Sequence, residues 1–371
     1  MAKDWMKELQ KLEGAVSGEY DPFDHVAKSP SPSLNFTFAN TWGLPFGYTV
    51  LLWGPQKSGK SLVSYSMAAQ LQKDDPEAII VRFDTEMRAE AQCTPQTAAK
   101  WGVDLKRFKN VNNNTPAGIF DAIETKIAGW IEEGAPIKMI IIDSISGIRG
   151  RRDLNADTIE TQQMGDEAAT LQSGLKRIIG LIRNKKIALV LCTQARAEMD
   201  PMKARMHGDK KMAAAYALKH FAEYFMLVER NESKEGKQDL LGHDFLDGSM
   251  TDLMDKSEST GHKIRVKMVD NTFGTKGRVG EFTFSYTQGI INQHEEVFRL
   301  GLNRGLITKP NNMSYEYKGV KWVGKASAVE AIKNSVDMQQ AIVAELIERD
   351  RSGVYASEEA ILQEKFETEV E

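Results

Sequence analysis

Residues 48–61 read "YTVLLWGPQKSGKS", an apolar run that ends at Gly54 and gives way to glycine, lysine and serine at set intervals. The spacing Gly54, four residues, Gly59, Lys60, Ser61 is that of a phosphate-binding loop joining a strand to a helix. In such a loop the glycines leave backbone N–H groups free to converge on phosphate oxygens. Gly54, Pro55, Gln56, Lys57, Ser58, Gly59, Lys60, Ser61 and Leu62 therefore form the candidate ATP-binding stretch. Lys60 is placed to reach the terminal phosphates and Ser61 to ligate Mg2+. The plainer reading is a glycine-rich turn with no ligand, and the flanking strand and helix patterns weigh against it.

Further along the chain, "AIIVRF" (78–83), "KMIIID" (138–143) and "IALVLCT" (187–193) are short and apolar at almost every position, with helical patterns between them. Runs of this kind suit strands buried on both faces, hence an α/β fold with a mostly parallel central sheet. Two polar stretches, about 149–166 and 196–215, leave strand ends on the side where such sheets bind ligands. Residues 231–262 read as an insertion, and "KIRVKMV" (263–269) with "GEFTFSY" (280–286) alternates like a hairpin at the sheet edge. "MAKDWMKELQKLEG" has helical spacing at Trp5, Leu9 and Leu12, and "AKSPSPS" (27–33) reads as a linker broken by two prolines. The expected organisation is an N-terminal arm and linker over 1–33, an ATPase core over 34–289, a small α+β domain over 290–356 and an acidic tail over 357–371. That tail carries six glutamates and one lysine.

A chain of 371 residues with 41% hydrophobic content supports a large core with smaller attachments. The net charge of −4 excludes a bulk polycation, so any nucleic-acid site has to come from local basic patches. Cys93 and Cys192 show no pairing pattern and no stretch is apolar enough to span a membrane, which fits a cytoplasmic protein without a membrane partner.

Phosphate chemistry needs more than the loop. Asp143 ends a buried strand, where a lone carboxylate is costly unless paired or bound to a cation, so it joins Ser61 as a candidate magnesium ligand. Its alternative role is to cap the next turn through Ser144. "VRFDTEMRAE" offers Asp84, Glu86 and Glu90, of which Glu86 is best placed to orient or deprotonate water. Gln194, at the end of "LVLCTQ", is polar where its strand meets the site and is the candidate γ-phosphate sensor. Lys60, Glu86 and Gln194 are thus the candidate catalytic set.

The two polar stretches are basic. The first brings Arg149, Arg151 and Arg152; the second brings Arg196, Lys203, Arg205, Lys210 and Lys211, interleaved with Met199, Met202, Met206 and Met212. Cations neutralise phosphates while flexible apolar side chains wedge between bases, a combination suited to single-stranded DNA. A solvated lysine-rich loop over packed methionines is the alternative. In the C-terminal region, Lys318, Lys321, Lys325 and Lys333 lie near Tyr315, Tyr317 and Trp322. They read equally as a duplex landing site or as a small core with a basic face.

Taken in order, these segments resemble the RecA-type homologous recombinases, including those of bacteriophages. "GLPFGYTVLLWGPQKSGKS", "FDTEMRAEAQ", "MIIIDSISGI", "QQMGDEAATLQSGLKRI", "CTQARAEM" and "YEYKGVKWVGKASAVEAIK" carry the resemblance, which spans about 33–350. It implies a RecA-like P-loop ATPase core, ATP and Mg2+ as cofactors, and a helical filament on single-stranded DNA that pairs with double-stranded DNA. It places Met164 and Gly165 at the end of the first DNA loop and Met199 in the second, and it implies mediator and single-strand-binding proteins as further candidate partners. Asp270 and Thr272 stand where bacterial members have lysines that reach the neighbouring subunit's ATP, leaving Lys219, Lys276 and Arg278 as candidates for that contact. These departures lean toward a phage member. A hexameric helicase on the same core, or a paralogue that regulates filaments without exchanging strands, are the alternative functions.

Overall fold

The computed structural model describes residues 25–352 apart from 93, 95–96, 151–165, 198–209, 213–217, 219 and 232–260. Its main strands are β3 (Thr49–Gly54), β4 (Ile79–Asp84), β5 (Phe108–Asn112), β6 (Ile137–Asp143), β7 (Ala188–Ala197), β8 (Lys210–Met212), β9 (Tyr224–Asn231), β10 (Gly261–Asn271), β11 (Val279–Ser285) and β12 (Gly289–Ile291). They form one ten-stranded sheet in the order β12-β11-β10-β9-β3-β7-β6-β4-β5, with β8 paired to β7. From β9 to β5 every neighbouring pair is parallel, and β10, β11 and β12 close one side as an antiparallel meander. The fold is α/β, as the apolar runs require.

Each face of the sheet has its own core. Alternate residues of β3, β6 and β7 (Val50 and Leu52, Met139 and Ile141, Val190 and Cys192) pack with Val63 and Met67 of helix α2 (Lys60–Asp74). The intervening residues Leu51, Ile140, Ile142, Leu189 and Leu191 pack under α3 (Ala117–Ile127 running into Ala128–Glu132) and α4 (Asp166–Asn184). This two-sided burial is why the runs are continuous rather than alternating.

The prolines of "AKSPSPS" do not make a linker. Val26–Ala27 (β1) pairs with Leu44–Pro45 (β2), and Pro32 occupies the first turn of α1 (Pro32–Thr37), where its missing N–H costs nothing. Ser31 caps that helix by accepting from Leu34 N at 3.0 Å. Its hydroxyl also donates to Glu296 Oε2 at 2.5 Å, and Ser33 N donates to the same oxygen at 2.9 Å. Burial pushes the Glu296 carboxyl up to about 7, against the pull of Ser31, Ser33 and Arg299. The helical spacing at Trp5, Leu9 and Leu12 lies outside the described residues, as does the tail over 357–371.

A third core joins Phe36 and Trp42 to α5 (Gln293–Asn303), the small sheet β13–β15 (Thr308–Asn311, Ser314–Tyr317, Val320–Val323), α6 (Lys325–Lys333) and α7 (Val336–Ser352). Tyr315, Tyr317 and Trp322 are buried in it, so these aromatics form a core and are not free to stack on bases. Lys318, Lys321 and Lys333 pair with Glu345, Glu316 and Glu330 on the surface. Arg278 is also engaged within its own chain. Its guanidinium is 5% exposed, bonded to Asp350 Oδ2 at 2.6 Å and to Phe36 O at 3.1 Å, and Trp42 Nε1 donates to the same Asp350 oxygen. It ties α7 to the core of its own chain and is not presented to a neighbour. Lys276 is exposed and pairs with Asp270 at 2.6 Å; Lys219 lies outside the described residues.

Candidate nucleotide and nucleic-acid site

Parallel register brings the candidate residues together. Gly54 at the end of β3 is level with Gln194 of β7, Cys192 of β7 with Asp143 of β6, and Asp143 with Asp84 of β4. All four strand ends lie on the carboxyl edge of the sheet, where α/β folds gather ligand-binding groups.

The phosphate loop needs its glycines. At Gly59 φ is +105° and an added Cβ would lie 2.7 Å from Ile264 Cδ1; at Gly54 it would lie 2.1 Å from Val228 O. The chain then enters α2, whose first residues are Lys60 and Ser61. Lys60 Nζ donates to Gly54 O at 3.1 Å and Pro55 O at 2.6 Å. Burial lowers its ammonium pKa, and Asp143 and Glu86 oppose that shift. Ser58 Oγ is buried with no hydrogen-bond partner among the described residues, as expected of a hydroxyl that awaits an acceptor or donor from a ligand. Beside the loop lies a cleft of about 520 Å3 lined by residues 55–58, by Glu229, Arg230 and Asn231 of β9 and by Arg265 of β10.

Ser61 Oγ donates to Asp143 Oδ2 at 2.6 Å, the adjacency expected of two groups sharing one cation. Asp143 does not cap the following turn through its side chain: Ser144 N bonds Thr85 Oγ1 at 3.0 Å instead. Among the described residues no three His, Cys, Asp or Glu side chains cluster to hold a metal alone. The donor set therefore fits magnesium carried with nucleotide phosphates, which would complete its shell with phosphate oxygens and water. Cys192, whose thiol burial pushes well up, is an inert strand residue.

Glu86 is half-buried on the turn after β4. Asp84 shapes that turn by accepting Glu86 N at 3.0 Å and Arg88 N at 2.7 Å, which fixes the division of labour among the acidic residues. Gln194 Nε2 donates to Glu86 Oε1 at 3.0 Å, and Gln56 Nε2 donates to Gln194 Oε1 at 3.2 Å. Arg88 lies 3.1 Å from Glu86 Oε2. The loop, the candidate base and the candidate sensor thus form one hydrogen-bonded line. Thr85 and Arg82 also build this edge without being candidates from sequence pattern; for Arg82 the available signal is a charge inside the run "AIIVRF".

Of the candidate DNA residues, Arg149 is exposed just past the turn after Asp143, and its N donates to Asn114 O. Arg151, Arg152, Met164, Gly165, Met199, Met202, Lys203 and Arg205 lie outside the described residues. The second stretch is not loop throughout: β7 continues to Ala197 and pairs antiparallel with β8, putting Arg196 opposite Lys211 and Ala197 opposite Lys210.

No helix among the described residues is long and apolar enough to cross a membrane. The RecA N-terminal domain family matches residues 16–246. Protein RecA of Paracoccus denitrificans is 24% identical over 327 residues, covering 88% of this chain and 82% of that protein. Protein RecA of Marinobacter nauticus is 24% identical over 342 residues, covering 91% and 88%. Since the family match takes in more than half of the sequence, the chain belongs to the RecA family.

Proposed function

We propose that this protein is an ATP-dependent recombinase that polymerises on single-stranded DNA and exchanges it with a homologous duplex. The observation that carries the reading is the line Gln56–Gln194–Glu86, because Gln194 also stands on the strand that runs into the basic ribbon β7–β8. A change at the γ-phosphate would be felt by the candidate base and by the DNA segment through one side chain.

In this mechanism the loop N–H groups and Lys60 would hold the β- and γ-phosphates, and Ser61 with Asp143 would hold magnesium, which would supply charge neutralisation for phosphoryl transfer. Glu86 Oε1 takes the proton of the attacking water, and Gln194 keeps that oxygen oriented. Arg149, Arg151, Arg152, Met164 and Gly165 on one segment, and Arg196, Met199, Met202, Lys203, Arg205, Lys210 and Lys211 on the other, contact DNA. ATP between adjacent subunits favours the DNA-competent filament and hydrolysis relaxes it. Lys276, exposed beside Asp270, is the proposed contact to the neighbour's nucleotide.

Electron microscopy with ATP and single-stranded DNA tests the assembly. Continuous helical filaments support the reading, and discrete six-membered rings would replace it with a helicase.

A further inference from the structure

Strand β4 carries one charge into the core. Arg82 is 1% exposed, between Val81 and Phe83, which face the opposite side of the sheet. Its NH2 donates to Asp143 Oδ2 at 2.8 Å, and its NH1 lies 3.4 Å from Asp84 Oδ2 and 3.2 Å from Asn110 Oδ1. The guanidinium carbon sits 5.3 Å from the ring centroid of Tyr65, on the helix that begins with Lys60 and Ser61. Burial opposes the charge, but Tyr65, Asp143 and Asp84 outweigh it and raise the pKa.

Stability does not explain this arrangement. A buried ion pair adds little over apolar residues of equal volume, because desolvation consumes most of the attraction. Position does explain it. Asp84 and Asp143 are level in the register of β4 and β6, and each controls a different part of the site. Asp84 sets the turn that aims Glu86, while Asp143 faces Ser61. Arg82 and Ser61 act on the same Asp143 oxygen from two directions, which fixes the plane of that carboxylate. Without a cation between them, two carboxylates on adjacent strands repel and each relaxes independently.

We propose that Arg82 is a positioning residue that locks the magnesium-side carboxylate Asp143 and the Glu86 turn into one rigid unit, seated against the helix that follows the phosphate loop. The inference rests on the nucleotide reading above. A planar fork holds two carboxylates at once, whereas a lysine is a single point charge on a flexible stem. Arg82→Lys therefore keeps the buried charge and loses the lock.

The test uses the full-length protein with single-stranded DNA and compares wild type, Arg82→Lys and Arg82→Met. It reads thermal melting, binding of a fluorescent ATP analogue in EDTA and across a magnesium titration, and ATP turnover. Groups that orient a metal-holding side chain typically cost about 10–100-fold in metal affinity or activity when removed, so Arg82→Lys should raise the magnesium half-saturation and lower kcat by ~10-fold each. Binding in EDTA should stay within about twofold, since the loop and Lys60 are untouched. If Arg82→Met folds, its loss should exceed that of the lysine variant; if it does not fold, Arg82→Lys alone decides. A folded Arg82→Lys protein with wild-type magnesium dependence and kcat overturns the inference, as does an equal loss of binding in EDTA and in magnesium. Wild type that binds no magnesium nucleotide overturns the nucleotide reading and this inference together, whereas normal wild-type binding with an unaltered variant overturns this inference alone.

Discussion

Replacing Glu86 by glutamine separates geometry from basicity in the candidate site. The oxygen that accepts Gln194 Nε2 at 3.0 Å can be kept as the amide oxygen of the introduced side chain, so the line from Gln56 through Gln194 survives. The contact that changes is Arg88 to Oε2 at 3.1 Å, and Arg88 is 66% exposed, so its loss matters little to stability. The amide no longer accepts a proton. General-base catalysis contributes about 10²–10⁴-fold, and the turnover loss in Glu86→Gln should fall in that range, a barrier increase of about 3–5 kcal/mol. Nucleotide and single-strand binding should remain within about threefold of wild type, because no phosphate-holding group is altered. Steady-state ATP hydrolysis at saturating DNA, paired with equilibrium binding of a fluorescent nucleotide, measures both. Turnover within about threefold of wild type would remove Glu86 from the role of base and refute the reasoning that places it there.

Two further outcomes follow from charge. Changing Lys203 and Arg205 to Ala should lower the salt dependence of single-strand binding by about one to two units of log slope, at ~0.7 per phosphate contact, and an unchanged slope would make them solvated loop residues. Glu296 has a folded pKa raised from 4.5 to about 7, so the folded state holds a proton that the unfolded chain releases. Its stabilising contribution is present below about pH 4.5 and is lost as pH rises through about 7, by up to about 3 kcal/mol at about 1.36 per unit. Glu296→Gln, whose amide oxygen still accepts Ser31 and Ser33, should flatten urea midpoints across that window; an unchanged pH slope would show that Glu296 does not titrate there.

Much of this molecule is readable from its sequence because its central strands are buried on both faces, and only continuous apolar runs satisfy that environment. "YTVLLW" and "KMIIID" need no other information, and the phosphate loop announces itself by glycine spacing. What local pattern cannot carry is pairing across distance. The prolines near residue 30 look like a linker until Glu296, far along the chain, is seen holding the helix cap. Arg278 looks like a surface cation until Asp350 is placed against it. Tyr315, Tyr317 and Trp322 suit base stacking or a core equally well, and packing against Phe298 and Ile332 decides for the core. Arg82 hid inside an apolar run, because alternation gives no account of a charge whose partners lie on two neighbouring strands and a helix.

The central claim is that the nucleotide site drives homologous pairing. Joint-molecule formation between a single-stranded circle and linear duplex, with ATP and Mg2+, measures it directly, using a nonhomologous duplex as the control. The account predicts joint molecules with the homologous partner only, and none when Lys60→Ala replaces the wild type. Single-strand-stimulated ATP hydrolysis without any homology-dependent joint molecules would contradict it.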